Sequence, residues 1–335
     1  MARHISIEHG EGGEMTHELI RDLFVKYFGH AEEAKFDAAV LDLPGSRIAF
    51  TTDTFTVKPP FFSGGNIGKL AVAGTVNDLA VSGAEPLYLS AGFVLEEGLS
   101  FDDLERIVAS MAEEASKTGV RIITGDTKVV EKGSADKIFI NTSGVGVVHP
   151  GWELHPEDIE EGDVVIVNGT IGDHGVAILA ARGELGVATD LPTDSTSLYP
   201  LIRAVRDAGV RIRVMRDPTR GGLATTLVEI TEDFGVIVEL DQEAIPLKPE
   251  VEGACEILGL DPLFLANEGK VVFIVPEADA EKALAAMRAR EEGRDATIIG
   301  RVVGRSEEGK LLLRSPVGSR RRIFRLLGMQ LPRIC

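Results

Sequence analysis

Three apolar stretches of this chain each end on a carboxylate: Ile48-Ala49-Phe50-Thr51-Thr52-Asp53, Arg121-Ile122-Ile123-Thr124-Gly125-Asp126 and Arg211-Ile212-Arg213-Val214-Met215-Arg216-Asp217. Short apolar runs of this kind, alternating with amphipathic segments, predict a mixed α/β (α+β) fold whose sheets carry flanking helices. A strand that delivers Asp at its C-terminal end puts that acid at the rim of a sheet, where open α/β folds bind ligands.

In the first half, Arg47–Thr52, Leu87–Val94, Val120–Thr124 and Ile138–Val148 read as strands. Ser100–Thr118 reads as a helix capped by Ser100 with Asp103, since Leu104, Ile107, Val108, Met111 and Ala115 share one face. Asn66–Ser82 reads as a second helix. The turn-forming His149-Pro150-Gly151 predicts a boundary, giving domains 1–150 and 151–328 and a flexible tail 329–335. After it the alternation restarts, with strands at Asp163–Val167, Arg211–Met215, Val236–Leu240 and Lys270–Val275. Helices are expected around Gly175–Ala181, Leu223–Phe234 and Ala278–Arg290.

Composition narrows the function. With 44% hydrophobic and 26% charged residues the chain resembles ordinary soluble domains. Its net charge of −18 argues against nucleic-acid binding, which needs a basic footprint. Met1–Met15 has no apolar signal core. The best candidate for a membrane span, Leu70–Val94, is broken by Asn77-Asp78 and Glu85-Pro86. Two cysteines, Cys255 and Cys335, make neither a disulfide framework nor a zinc site, so a cytoplasmic protein is expected. From Gly309 onward there is no acid, while Lys310, Arg314, Arg320, Arg321, Arg322, Arg325 and Arg333 are basic. That run reads either as a solvated helix face around Arg320–Arg325 or as a tail attracted to an acidic body.

Candidate chemistry gathers on the acids. Asp37, Asp53, Asp78 and Asp126 are hard oxygen ligands of the kind that hold Mg²⁺ together with phosphates. Gly12 and Gly13, and the Ser63–Gly68 turn with Asn66, could turn backbone N–H groups toward phosphate, the second of them at a helix start. Neither is a Walker loop or a dinucleotide fingerprint. Lys128 lies two residues after Asp126, Glu268 sits between turn formers, and Cys255 reads as a core side chain. Pro332-Arg333-Ile334-Cys335 places a thiol on an extended end that can enter a pocket and leave it.

Several segments then make sense together: Phe55-Thr56-Val57-Lys58-Pro59-Pro60, Gly65-Asn66-Ile67-Gly68-Lys69-Leu70, Gly74-Thr75-Val76-Asn77-Asp78-Leu79-Ala80, Thr124-Gly125-Asp126-Thr127-Lys128, Asn168-Gly169-Thr170-Ile171-Gly172-Asp173-His174-Gly175, Asp217-Pro218-Thr219-Arg220-Gly221-Gly222-Leu223 and the final Pro332-Arg333-Ile334-Cys335. Across nearly its whole length the chain resembles the aminoimidazole-ribonucleotide-synthetase-like ATPases, and its terminal motif resembles their hydrogenase-maturation branch. The resemblance implies a two-domain fold, a homodimer, and Mg²⁺ and ATP held by Asp37, Asp53, Asp78 and Asp126, with Asn77 and Asn141 nearby. It also implies ATP-dependent dehydration of an S-carbamoyl group on Cys335 to a thiocyanate, with Glu268 and Lys128 as candidates for proton removal. The nitrile would supply the cyanide ligand of [NiFe]-hydrogenase iron. Partners would be a carbamoyl-transferring protein of the HypF type and an iron-carrying HypC–HypD-type scaffold. Sister enzymes, such as selenophosphate synthetase or thiamine-phosphate kinase, and a non-enzymatic iron carrier are the alternatives.

The terminal thiol gives a direct test. Cys335→Ala should abolish carbamoylation and cyanation while sparing ATP binding, because the candidate nucleotide ligands lie far upstream. Intact mass after incubation with carbamoyl phosphate, ATP and the transferase reads both steps, and carbamoylation at Cys255 in that variant would refute the carrier assignment.

Overall fold

The computed structural model describes residues 4–6, 18–29, 47–186 and 189–325. Gly12, Gly13, Asp37, Cys335 and the expected tail 329–335 lie outside the described residues. The first half runs through β1 (Ile48–Phe55), a miniature hairpin of β2 (Phe61–Phe62) and β3 (Gly65–Asn66), helix α1 (Ile67–Val81), β4 (Glu85–Glu96), α2 (Phe101–Thr118), β5 (Arg121–Val130) and β6 (Ile138–Val147). β1, β6, β4 and β5 form one sheet in that order. The β4–β5 pair is parallel and the other two pairs are antiparallel. The parallel pair is joined through α2, because a parallel neighbour needs a crossover connection.

One face of this sheet carries α1 and α2, and α1 is apolar on nearly every side. An all-round apolar helix belongs in an interior, and α1 packs against the sheet, α2 and the second half of the chain. The opposite face leaves Ile48 57% and Phe50 69% exposed. Helix α2 buries the expected stripe of Leu104, Ile107, Val108, Met111 and Ala115. Its expected Ser100–Asp103 cap does not form. Ser100 bridges the backbone of His4 instead, and Asp103 pairs with Arg106 at 3.3 Å.

The second half comprises β7 (Val164–Val167), α3 (Asp173–Ala181), α4 (Tyr199–Asp207), β8 (Val214–Arg216), α5 (Gly222–Phe234), β9 (Val236–Asp241), α6 (Pro249–Leu258), β10 (Val272–Val275), α7 (Ala280–Arg288), β11 (Thr297–Arg305), β12 (Lys310–Arg314) and β13 (Arg320–Ile323). Its strands form a mixed sheet in the order β13-β12-β9-β11-β7-β10-β8. Strands β11, β12 and β13 and helix α4 were not foreseen, and β8 starts later than expected. Arg211 and Arg213 precede β8 and are held by Asp279 at 2.8 Å and Asp163 at 3.1 Å.

The basic run is an edge strand rather than a helix face. Arg320 pairs with Glu239 at 2.5 Å, Arg321 with Asp261 at 2.9 Å, and Arg325 with Glu232 at 2.7 Å. Arg314, on the neighbouring strand, meets Asp241 at 2.6 Å. Charged side chains are a common guard on an unpaired strand edge, and here they lock that edge to acids of the same half.

The two halves are joined by a strap, residues 189–198, laid over α1. The Thr193 N–H donates to the Ser63 carbonyl at 2.9 Å. The Ser197 N–H donates to Glu114 Oε1 and the Leu198 N–H to Asn77 Oδ1, each at 2.7 Å. Asn77 Nδ2 returns a bond to the Thr196 carbonyl at 3.1 Å. Asn77 and Glu114 are both buried and serve as surrogate backbone partners. Asn77→Ala should therefore leave the Leu198 N–H unpaired in the interior and lower unfolding free energy by about 1–3 kcal/mol in urea titrations. A loss no larger than the ~0.5 kcal/mol of an ordinary surface substitution would remove that role.

Candidate functional site

Sheet register decides which acids meet. Asp53 stands opposite Thr142, which stands opposite Ala91, and this row faces α1. Thr142 is fully buried there, its hydroxyl 2.5 Å from that of Thr75. Asp126 belongs to the adjacent row, through Gly92 and Asn141 to Thr54, which points to the open face. The expected convergence of Asp53, Asp78 and Asp126 is therefore not delivered within one chain. The pleat puts Asp126 on the far side, 71% exposed and 3.6 Å from an equally open Lys128. Asn141 shares that face, where its amide donates to the Asp53 carbonyl and the Thr54 hydroxyl, each at 2.9 Å. Lys128 and Glu268 are likewise on different sides.

On the helix side a groove of ≈550 Å³ opens between the halves, lined by Thr51, Asp78, Met215, Asp217 and Arg220 among others. Asp78 comes from α1 and accepts the Thr51 hydroxyl at 2.9 Å. Asp53 sits two residues beyond Thr51 on the same face of β1 and accepts the Thr54 N–H at 2.9 Å. Gly74 keeps α1 close to this strand, since a Cβ there would lie 2.8 Å from the Phe55 ring. Asp217 follows β8 and opens the turn into α5. That turn requires glycine. Gly221 and Gly222 both have positive φ, and a Cβ on Gly222 would lie 2.5 Å from the Leu265 carbonyl oxygen.

Glu268 is almost completely buried. Its N–H donates to Asp194 Oδ1 at 3.1 Å, and its carbonyl accepts the Thr196 N–H at 3.3 Å. These acids raise one another's proton affinity. Burial first, then the charge of Asp78, pushes Asp217 up to about 7. Burial raises Asp78, with Asp53 adding to it and the Thr51 hydrogen bond opposing. Burial also raises Asp53, against the Thr54 N–H and Arg220. Glu268 is held well above the usual carboxylate range by burial, followed by Asp194, Asp217, Asp53 and Asp78.

Among the described residues no three His, Cys, Asp or Glu side chains form a ready cation cage. The groove nevertheless fits Mg²⁺, which takes one or two carboxylates, draws its other ligands from phosphates and water, and relieves the mutual repulsion of Asp53, Asp78 and Asp217.

Two candidates have structural employment instead. The Asn66 side-chain oxygen Oδ1 accepts the Gly68 and Lys69 N–H groups at 2.9 and 3.2 Å, and the Ile67 N–H goes to the Pro60 carbonyl. The first-turn donors expected to face phosphate are thus already taken. Gly68 serves packing, since a Cβ there would lie 2.3 Å from the Ile107 carbonyl oxygen on α2. Asn77 spends its amide on the strap. Asp217, by contrast, is a strand-end acid visible in the sequence but left out of the candidate ligands because it lies in the other half. Asp194, one polar residue in a loop, gave no sequence signal. Asn66→Ala should cost about 0.5–2 kcal/mol of stability as a lost helix cap, with nucleotide affinity unchanged by calorimetric titration. A large affinity loss without destabilisation would return Asn66 to the ligand set.

Residues 35–148 match the N-terminal domain, and residues 160–311 the C-terminal domain, of AIR synthase related proteins. The chain is 52% identical to carbamoyl dehydratase HypE of Rhodobacter capsulatus, over 99% of this chain and 98% of that protein. The solved structure of hydrogenase maturation protein HypE in complex with ATP superposes with a TM-score of 0.92 at 46% identity, covering 98% of this chain and 99% of that one. HypE in a HypE–HypF complex superposes at 0.80 with 47% identity, covering 94% and 100%. The strand-end acids, the glycine turn before α5 and these full-length matches have one explanation: the chain belongs to the AIR synthase related family, in its HypE branch.

Proposed function

We propose that this chain is an ATP-dependent carbamoyl dehydratase that converts an S-carbamoyl group on Cys335 to a thiocyanate for hydrogenase maturation. The observation that carries the reading is Glu268, a buried carboxylate fixed by its backbone to the inter-half strap, its proton affinity raised by burial and then by the charges of Asp194, Asp217, Asp53 and Asp78. A carbamoyl oxygen is a poor leaving group until it is phosphorylated. Its attack on the γ-phosphorus of ATP forms a C–O–P bond and releases ADP, and one N–H proton is lost. Cleavage of the C–O bond then releases phosphate, the second N–H proton leaves, and C≡N remains. Both steps need a base beside the nitrogen. A buried carboxylate with a raised pKa suits that work better than an exposed one.

Asp53, Asp78 and Asp217 would hold Mg²⁺ with the nucleotide phosphates, and the bound ion would offset charge on the transferring phosphoryl group. Asp37, Gly12 and Gly13 remain proposed contacts on the strength of the motif alone. Residues 324–335, fully extended, span at most about 40 Å, and β13 fixes where that span starts. We assign Asp126, Lys128 and Asn141 to a homodimer packed through the open sheet face. The exposed Ile48 and Phe50 support this, because a second copy would cover them. The HypF complex of a relative supports a carbamoyl-transferring partner. A HypC–HypD-type scaffold would take the product, in the cytoplasm.

Glu268→Gln should retain ATP binding and accumulate carbamoylated protein that does not become thiocyanate, a difference read by intact mass after a single turnover. Cyanation at the parental rate would exclude Glu268 as the base.

A further inference from the structure

Glu268 lies on a short turn, with neither strand nor helix to fix it. Both polar groups of its peptide are bound by the strap: the N–H by the Asp194 carboxylate at 3.1 Å and the carbonyl by the Thr196 N–H at 3.3 Å. The approach is so close that a Cβ on Gly269 would lie only 1.9 Å from the Asp194 carbonyl oxygen. The strap itself is bonded to the first half at Ser63, Asn77 and Glu114. The Glu268 carbonyl is also reached by Asn77 Nδ2 at 3.5 Å, beside the Thr196 N–H. Its N–H is held by Asp194 alone among the described residues, so the orientation of its peptide relative to Asp53 and Asp78, which belong to that first half, depends on Asp194.

The two carboxylate oxygens of Asp194 have separate tasks. Oδ1 takes the Glu268 N–H, and Oδ2 faces the Lys270 ammonium at 3.1 Å. Both side chains are shielded, Asp194 being 2% and Lys270 10% exposed. A buried ion pair is weak grounds for stability by itself, because desolvation offsets most of the attraction. This one does something more specific: Lys270 takes Oδ2 and so fixes the Asp194 carboxylate with Oδ1 toward the Glu268 N–H. Thr193 beside it is anchored in turn, its hydroxyl 2.7 Å from His174 Nδ1.

We propose that Asp194 is a positioning residue for the dehydration, holding the Glu268 peptide against the inter-half strap. The assignment rests on Glu268 being the base. Misplacing a catalytic group by about 1 Å costs on the order of 10²-fold in rate, so the effect belongs in the chemical step and not in nucleotide binding.

The test compares Asp194→Ala and Asp194→Asn in the full-length, carbamoylated protein, measuring single-turnover cyanation and the KM for ATP. Asp194→Ala should slow cyanation on the order of 10²-fold with KM for ATP unchanged within about twofold. Asp194→Asn retains an acceptor for the Glu268 N–H and should recover at least about tenfold of that loss. Equal losses in the two variants, a parental rate in Asp194→Ala, or a rise in KM matching the rate loss would each overturn the proposal. If Asp194→Ala does not fold, Asp194→Ala combined with Lys270→Met, which removes the ammonium left without its counter-ion, is read in its place: slowed cyanation at parental KM supports the assignment, and a parental rate refutes it. Glu268→Gln separates the two failures. Its inactivity beside a parental Asp194 series overturns only the Asp194 role, whereas its full activity overturns the base reading and this one with it.

Discussion

Asn77 is a buried polar residue in a largely apolar helix, and its amide is the meeting point of the two halves. It receives the Leu198 N–H and gives a hydrogen to the Thr196 carbonyl, so a loop can cross the interior without leaving its backbone unsatisfied. Glu114 does the same for Ser197 from α2. A loop buried in this way is rare because each unpaired backbone group costs on the order of 1–3 kcal/mol. Two buried polar side chains on neighbouring helices make the crossing possible. That crossing fixes the second half against the sheet and brings the acids of different elements into one groove.

The groove concentrates like charge, which a fold tolerates only where something compensates. Arg220 opposes part of it at Asp53, and the Thr51 hydroxyl and Thr54 N–H take up single oxygens. The rest appears as raised proton affinity, with Asp217 at about 7. Under the proposed function a cation and its phosphates supply the missing charge, and the acids become ligands instead of proton carriers. Glu268 stands apart from that exchange. It is enclosed and tied by its backbone, which suits a group that must take a proton and give it up again.

The acid-free C-terminal stretch is resolved differently. Among the described residues, Arg314, Arg320, Arg321 and Arg325 are held by Asp241, Glu239, Asp261 and Glu232 of the same half. Single exposed pairs of this kind contribute little. A row of them along an edge strand is more useful as a device that keeps the edge from pairing with another chain. It also fixes β13, the last described strand before Cys335.

The sequence by itself determined the class of fold, most of the strands, both principal helices of the first half and the identity of the acids. Those properties rest on local periodicity and on residue chemistry, which need no knowledge of neighbours. Strands β11 to β13 escaped it because glycines interrupt β11, while β12 and β13 are short, β13 being mostly arginine, and their strand character comes from pairing with β7, β9 and one another. Motif proximity also grouped Asp126 with Asp53 and gave Asn66 to phosphate. Only the tertiary structure could separate the two acids, since neighbouring rows of a pleated sheet point to opposite faces and which row an acid joins is set by register. Only the tertiary structure could show Asn77 satisfying a distant loop and Asp194 reaching Glu268. Each depends on a hydrogen-bond partner that folding, not sequence order, places within 3.5 Å.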